Sequence, residues 1–342
     1  MRVMARDWSG YKYTILKSLG LNVDMIFGYQ PDGQSEMHFH LMSHEFHDGV
    51  GAIRKLCERQ GFELPQIVVR KTRPQPTLRE KLKRLRKHVA NAPYIAYDWK
   101  QYDVDAKGDS PSFHYALFDL PSSDAMAAYC KKNKIGETAL LLKALDSAAT
   151  NMLLNSVERR SWILPHDFRR AIGEQKNTSN VTAPLNLLLN GEQTPKTIYR
   201  QMKELYREDI LWGGWLYTNF SSYLPRWLIS ILFKRMKKPG WFGVFANMGR
   251  WESTNEEGVP GYWISAPPAA VVTPVTAGAF TWNGHTAFSL QCHASLGLEE
   301  AGINALLQQW ITVLEAEIAQ PLVYQIKAKP MAALRSDAER VQ

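Results

Sequence analysis

The chain has 342 residues, 45% of them hydrophobic and 22% charged, a balance that excludes a disordered polymer and suffices for two lobes or modest domains. No apolar run is long enough for a membrane-spanning helix, and residues 1–20 lack the apolar core of a secretory signal. Three widely spaced cysteines (Cys57, Cys130, Cys292) fit neither a disulfide framework nor a CxxC metal site and point to a reducing, cytoplasmic compartment, while the formal net charge of +8 calls for an anionic partner.

In chain order, Val23–Tyr29 and Glu36–Ser43 read as strands joined at the turn-rich PDGQS. Gly49–Gln60 reads as a helix stopped by Gly61. The charge excess gathers next: residues 70–87 carry nine Lys/Arg against Glu80 alone. A helix is expected from Thr77, with Leu78, Leu82, Leu85 and Val89 as one apolar stripe. Such a basic amphipathic helix suits a solvated surface, an anionic membrane or an acidic protein. Nucleic acid is not expected, because no stacking-aromatic or zinc motif accompanies it. The polar stretch 103–111 is the linker expected between an N-terminal lobe, 1–110, and a C-terminal lobe, 111–342.

Beyond it, Phe113–Leu120, Trp162–Pro165, Ala183–Leu189 and Thr286–Cys292 read as strands. Ser122–Asn133, Glu137–Met152, Lys196–Glu208 and Leu298–Ala319 read as helices. Leu211–Trp251 is rich in tryptophan, and its apolar run 225–233 precedes Lys234, Arg235, Lys237 and Lys238. That run suits either a buried helix or an interfacial one, so peripheral attachment to the inner face of a membrane is a second expectation for location. Residues past Lys329 are expected to form a frayed tail. No regular βαβ cadence or GxGxxG supports a Rossmann unit.

The densest chemistry is MHFHLMSHEFHDGVGA, residues 37–52. Its His-x-His pair could present two imidazoles to zinc, with His44 or His47 as a third ligand. The remaining histidines are scattered singly and no HExxH is present, so no metal is expected. The competing reading is His44-x-x-x-Asp48-Gly49, set between a strand and a helix. Here the sequence resembles the acyltransferase superfamily that includes chloramphenicol acetyltransferase, nonribosomal-peptide condensation domains, wax ester synthase/diacylglycerol acyltransferases and alcohol acetyltransferases. Its signature is HHxxxDG. His44 matches the second histidine and Ser43 stands at the first. Residues 113–149 resemble the opening of the second lobe, and 162–189 the strand region that places Arg169 and Asn180. VFANMGRW (244–251) resembles the SNxG segment, with Ala246 for serine and Asn247 retained, and 267–297 resembles the closing strands. The likeness covers most of residues 23–320 in the right order.

The resemblance implies a mixed α/β, chloramphenicol acetyltransferase-like sandwich of two lobes around a cleft. The first lobe is expected to be incomplete, since only 43 residues precede His44. It implies that His44 is the general base for acyl transfer from an acyl-CoA thioester, or from a carrier-protein phosphopantetheine, to a hydrophobic alcohol or amine. No bound cofactor is expected. Asp48 would pair with an arginine, Arg169 for choice, and fix the histidine loop, while Gly49 would allow a tight turn. Ser43, Asn180 and Asn247 are the oxyanion-donor candidates, and residue type does not choose among them. A non-catalytic relative that keeps the fold is the rival class.

Overall fold

The computed structural model describes residues 8–341 except 19, 32, 66–73, 92, 94, 107, 157–158, 221–223, 226, 230, 232–239 and 255–260. The apolar periodicities above become a mixed α/β sandwich of two sheets. Strands β1 (Asp24–Gln30) and β2 (His38–Ser43) pair antiparallel, with Met25 opposite Met42 and Phe27 opposite His40. Alternation then separates two faces. Met25, Phe27 and Met42 pack with Ala52, Ile53 and Leu56 of helix α2 (Gly49–Arg59). Ile26, Phe39 and Leu41 face the other way, onto Phe113, Tyr115 and Leu117 of β3 (Ser112–Phe118).

The larger sheet has seven strands. In spatial order they are β10 (Tyr324–Pro330), β3, β9 (His285–Cys292), β8 (Val275–Trp282), β6 (Gly243–Trp251), β4 (Arg159–Asp167) and β5 (Thr182–Asn190). Strand β6 lies parallel to both neighbours, β4 and β8; the remaining pairs are antiparallel. The main core lies between this sheet and helices α4 (Leu120–Asn133), α5 (Glu137–Leu153), α7 (Pro195–Arg207) and α9 (Glu300–Ile318). The smaller sheet is completed from beyond residue 110: β7 (Tyr262–Ala266) pairs antiparallel with β1, and β11 (Glu339–Val341) lies parallel on β2. The stretch expected as a linker is pinned to the large sheet's side, with the Asp103 amide donating to the Ser295 carbonyl and Ser110 Oγ accepting from the Cys292 amide. The three cysteines are free and buried.

Two expectations are corrected. The end of the chain is not a frayed tail: β10 leads into α10 (Met331–Asp337) and β11, and Met331, Leu334 and Val341 are buried. These three apolar residues are too few and too widely spaced to show a period, yet each finds a place against the smaller sheet. Helix α3 (Leu78–Ala90) forms as expected, with a Thr77–Glu80 capping box, but three of the four residues of its apolar stripe turn outward and Leu85 is half-buried. Leu78, Leu82 and Val89 are exposed, whereas His88 is buried and Lys81 and Arg84 turn toward α8 (Leu211–Phe220). The reason lies in α8. A Cβ on Gly213 would fall 2.3 Å from the Arg84 carbonyl oxygen, and one on Gly214 would fall 2.2 Å from that of Pro184. The two glycines let α8 sit tightly between α3 and β5, and this close approach selects the buried face of α3. Within the Trp-rich region Trp212 is buried and Trp227 exposed, while Lys234, Arg235, Lys237 and Lys238 lie outside the described residues.

Candidate active site

The pattern of β2 ends at Ser43, and the chain must then turn into α2. His44 stands in that turn, its amide donating to the Val23 carbonyl. His38, His40 and Met42 share one face of the strand; His44 lies beyond its end. The four histidines of the cluster do not converge. His38 faces solvent beside Gln34, His40 is buried 3.4 Å from Glu339, and His47 Nδ1 donates to the Thr178 carbonyl at 2.8 Å. Among the described residues no three His, Cys, Asp or Glu side chains group as metal ligands.

His44 Nδ1 lies 3.1 Å from the His47 carbonyl oxygen. A carbonyl only accepts, so Nδ1 carries the proton and Nε2 keeps its lone pair. Asn180 Nδ2 donates to the His44 carbonyl at 3.1 Å and lies 3.3 Å from Nδ1. The Tyr13 ring, from helix α1 (Trp8–Ser18), stacks on the imidazole. Burial pushes His44 down to about 4, and the nearby charge of Lys12 adds to this. The Asp48 charge and the His47 carbonyl pull the other way without overcoming it. The imidazole is therefore neutral at pH 7. Burial, then the Asp48 charge, raises the Tyr13 phenol to about 12, so it too is neutral.

Asp48 is the N-cap of α2, with Oδ1 accepting from the Gly51 amide at 2.8 Å. Its partners come from α2 and from the start of the large sheet's edge strand β5. Arg169 grips it with two hydrogen bonds, Nη1 to Oδ2 at 2.9 Å and Nη2 to Oδ1 at 2.7 Å. The Val181 amide and the Thr182 hydroxyl also donate to Oδ2. Both charged side chains are buried, and Arg169 spends its remaining donors on Asp167 and the Asn177 and Ser179 carbonyls. The carboxylate is thus saturated, and it holds the histidine loop against the segment leading into β5, which carries Asn180 to His44.

The other expected residues fall differently. Ser43 Oγ donates to Glu45, whose carboxylate also receives Lys17 of α1. Asn247 lies at the bulge of β6, its amide donating to Thr138 and its oxygen accepting from the Gly249 amide. Of the three oxyanion candidates, then, Asn180 is the one whose side chain touches His44 among the described residues. At Gly49 a Cβ would meet only the end of the Met248 side chain, with its sulfur at 3.0 Å; the tight position is Gly51, where a Cβ would fall 1.9 Å from the Thr178 carbonyl oxygen. Sequence reasoning did not find Gly51, Tyr13 or Thr178, which carry no motif of their own.

No sequence-family profile and no curated protein matches the chain. Solved structures do. A trichothecene 15-O-acetyltransferase from Fusarium sporotrichioides superposes with a TM-score of 0.55 at 14% identity, over 80% of this chain and 64% of that one. The SgcC5 protein from Streptomyces globisporus gives 0.55 at 12%, over 82% and 68%. The epimerization domain from the third module of tyrocidine synthetase B gives 0.51 at 16%, over 81% and 67%. The chain spans about two thirds of the length of these three structures or a little less. It has the fold of condensation-type domains and chloramphenicol acetyltransferase-like acyltransferases, as the sequence resemblance implied.

Proposed function

We propose that this chain is an acyltransferase of the condensation type, with His44 as its general base. The observation that carries the reading is the 3.1 Å contact between His44 Nδ1 and the His47 carbonyl oxygen. The Nδ1 proton is held by the His47 carbonyl, so Nε2 is the nitrogen able to accept a proton. In the reaction an alcohol or amine gives its proton to Nε2 as its oxygen or nitrogen bonds to the thioester carbonyl carbon. The tetrahedral adduct then collapses, the C–S bond breaks, and Nε2 returns the proton to the departing thiolate. No acyl-enzyme forms, so the three buried cysteines take no part. A base near 4 is weak at rest. Negative charge developing beside it raises its affinity for the proton during the reaction itself. Of the three oxyanion-donor candidates, Asn180 is the one whose amide nitrogen lies against His44.

The acyl donor is a coenzyme A thioester, or the chemically equivalent phosphopantetheine arm of a carrier protein, and the acceptor a hydrophobic alcohol or amine. A non-catalytic relative is the second reading. It is favoured by Ser43, which replaces the family's first histidine and commits its hydroxyl to Glu45. Thiol release from short- and medium-chain acyl-CoA, with a panel of alcohols and amines, separates the two. His44→Ala is expected to lower turnover by about 10²–10⁴-fold with an unchanged melting curve. Equal turnover in the variant and the parent ends the acyltransferase reading.

A further inference from the structure

Helix α3 has two faces of opposite chemistry. The inner face packs against the body of the protein. Lys81 Nζ lies 4.4 Å above the Trp212 ring, Arg84 bonds Asp209, and His88 bonds Asn186 at 3.1 Å. The outer face has no such cover among the described residues. Leu78, Leu82 and Val89 are 68%, 47% and 51% exposed. At about 100° per residue they fall within an arc of roughly 40°. Beside them run Arg79, Lys83 and Arg86, all exposed and in no ion pair among the described residues. The one carboxylate on the helix, Glu80, accepts from the Thr77 amide and hydroxyl and so is committed to the capping box. A single exposed leucine is ordinary, but three large aliphatic side chains in one row mark an interaction face.

We propose that this outer face of α3 is a docking surface for an anionic lipid bilayer. The helix would lie in the membrane plane, with Leu78, Leu82 and Val89 at the boundary between headgroups and acyl chains and Arg79, Lys83 and Arg86 at the level of the phosphates. Charge complementarity chooses this occupant. The face is cationic throughout, and its apolar row lies along one edge of the basic row. A protein interface instead gathers apolar residues at its centre within a polar rim. The inference is independent of the acyl-transfer reading, since none of these residues touches the His44 loop.

The test is co-sedimentation of the full chain with phosphatidylglycerol–phosphatidylcholine vesicles and with phosphatidylcholine alone, at low and high salt. Binding is expected to the anionic vesicles and to weaken with salt. The triple variants Arg79→Glu/Lys83→Glu/Arg86→Glu and Leu78→Ser/Leu82→Ser/Val89→Ser should each bind on the order of tenfold or more weakly. Their melting curves should match the parent's, because all six residues are exposed; Leu82→Ser alone serves should either triple fail to fold. Charge reversal at Lys131, Lys132 and Lys196, on other helices, should leave binding largely intact. Absence of binding to anionic vesicles at low salt overturns the proposal, as does binding by both triples equal to the parent's. Normal binding by the serine triple, with poly-glutamate competing as well as lipid, also overturns it and assigns the face to an acidic protein.

Discussion

The Tyr13 ring lies parallel to the His44 imidazole, with centroids 4.6 Å apart and 10° between the planes. One face of the ring is therefore closed by α1, which is also tied to the loop through Lys17 and Glu45. The stack is part of the burial that holds His44 near 4. Replacing Tyr13 with Ala opens that face to water, and a solvated imidazole moves back toward its ordinary 6.5. We expect Tyr13→Ala to shift the His44 titration, followed by its ring-proton NMR signal, upward by at least half a unit. The acid limb of any turnover profile should move with it. An unmoved titration would mean that other walls set the value.

The Asp48–Arg169 pair should behave as a structural staple. Asp48 accepts from Gly51, Arg169, Val181 and Thr182, and both charges are buried. Asp48→Ala strands a buried guanidinium and removes the N-cap of α2, a loss of about 3–5 kcal/mol. Arg169→Met should cost a similar amount, and the double variant less than the sum of the two. Chemical denaturation of the three proteins measures this. Additive losses would show that the two residues act separately.

Gly51 and Gly49 make a paired test of close approach. Alanine at Gly51 drives its Cβ into the Thr178 carbonyl, a backbone atom that cannot step aside without moving the His47 and Arg169 contacts. We expect a loss of about 1–3 kcal/mol for Gly51→Ala. Gly49→Ala meets only the end of Met248, a flexible side chain, and should cost less than about 1 kcal/mol. Comparable melting curves for the two variants would refute the distinction.

How far the chain could be read depends on how local each feature is. The strands around Phe27 and Leu187 and the helix through Leu306 and Trp310 announce themselves by period, because one face of each meets a core. The pairing of Asp48 with Arg169 was legible only through the family resemblance, which implied an arginine partner for the aspartate. The outward turn of Leu82 was not. Which face of α3 is buried is decided by Gly213, far along the chain, and amphipathicity alone would bury the leucines. Tyr13 and Gly51 were hidden for the same reason: each acts through one distant contact, with His44 or with Thr178, and a single contact leaves no periodic trace.

Stability should fall on mild acidification. Burial holds His44, His88 and His166 at about 4 in the folded protein. In the unfolded chain each returns to about 6.5. Between those values the unfolded state binds more protons, so stability rises with pH across the window and is lost as pH falls from 6.5 toward 4. Above 6.5 these groups contribute no slope. The interval from pH 6.5 to 5 lies above the ordinary carboxylate range, which isolates the histidine contribution. Each histidine should contribute on the order of 1–2 kcal/mol by pH 5. That predicts a fall of several degrees in melting temperature. His88→Gln keeps a partner for Asn186 without the proton site, and should flatten part of the slope. A melting temperature unchanged from pH 7 to 5, or an identical slope in His88→Gln, would mean that these imidazoles are already solvated in the folded state.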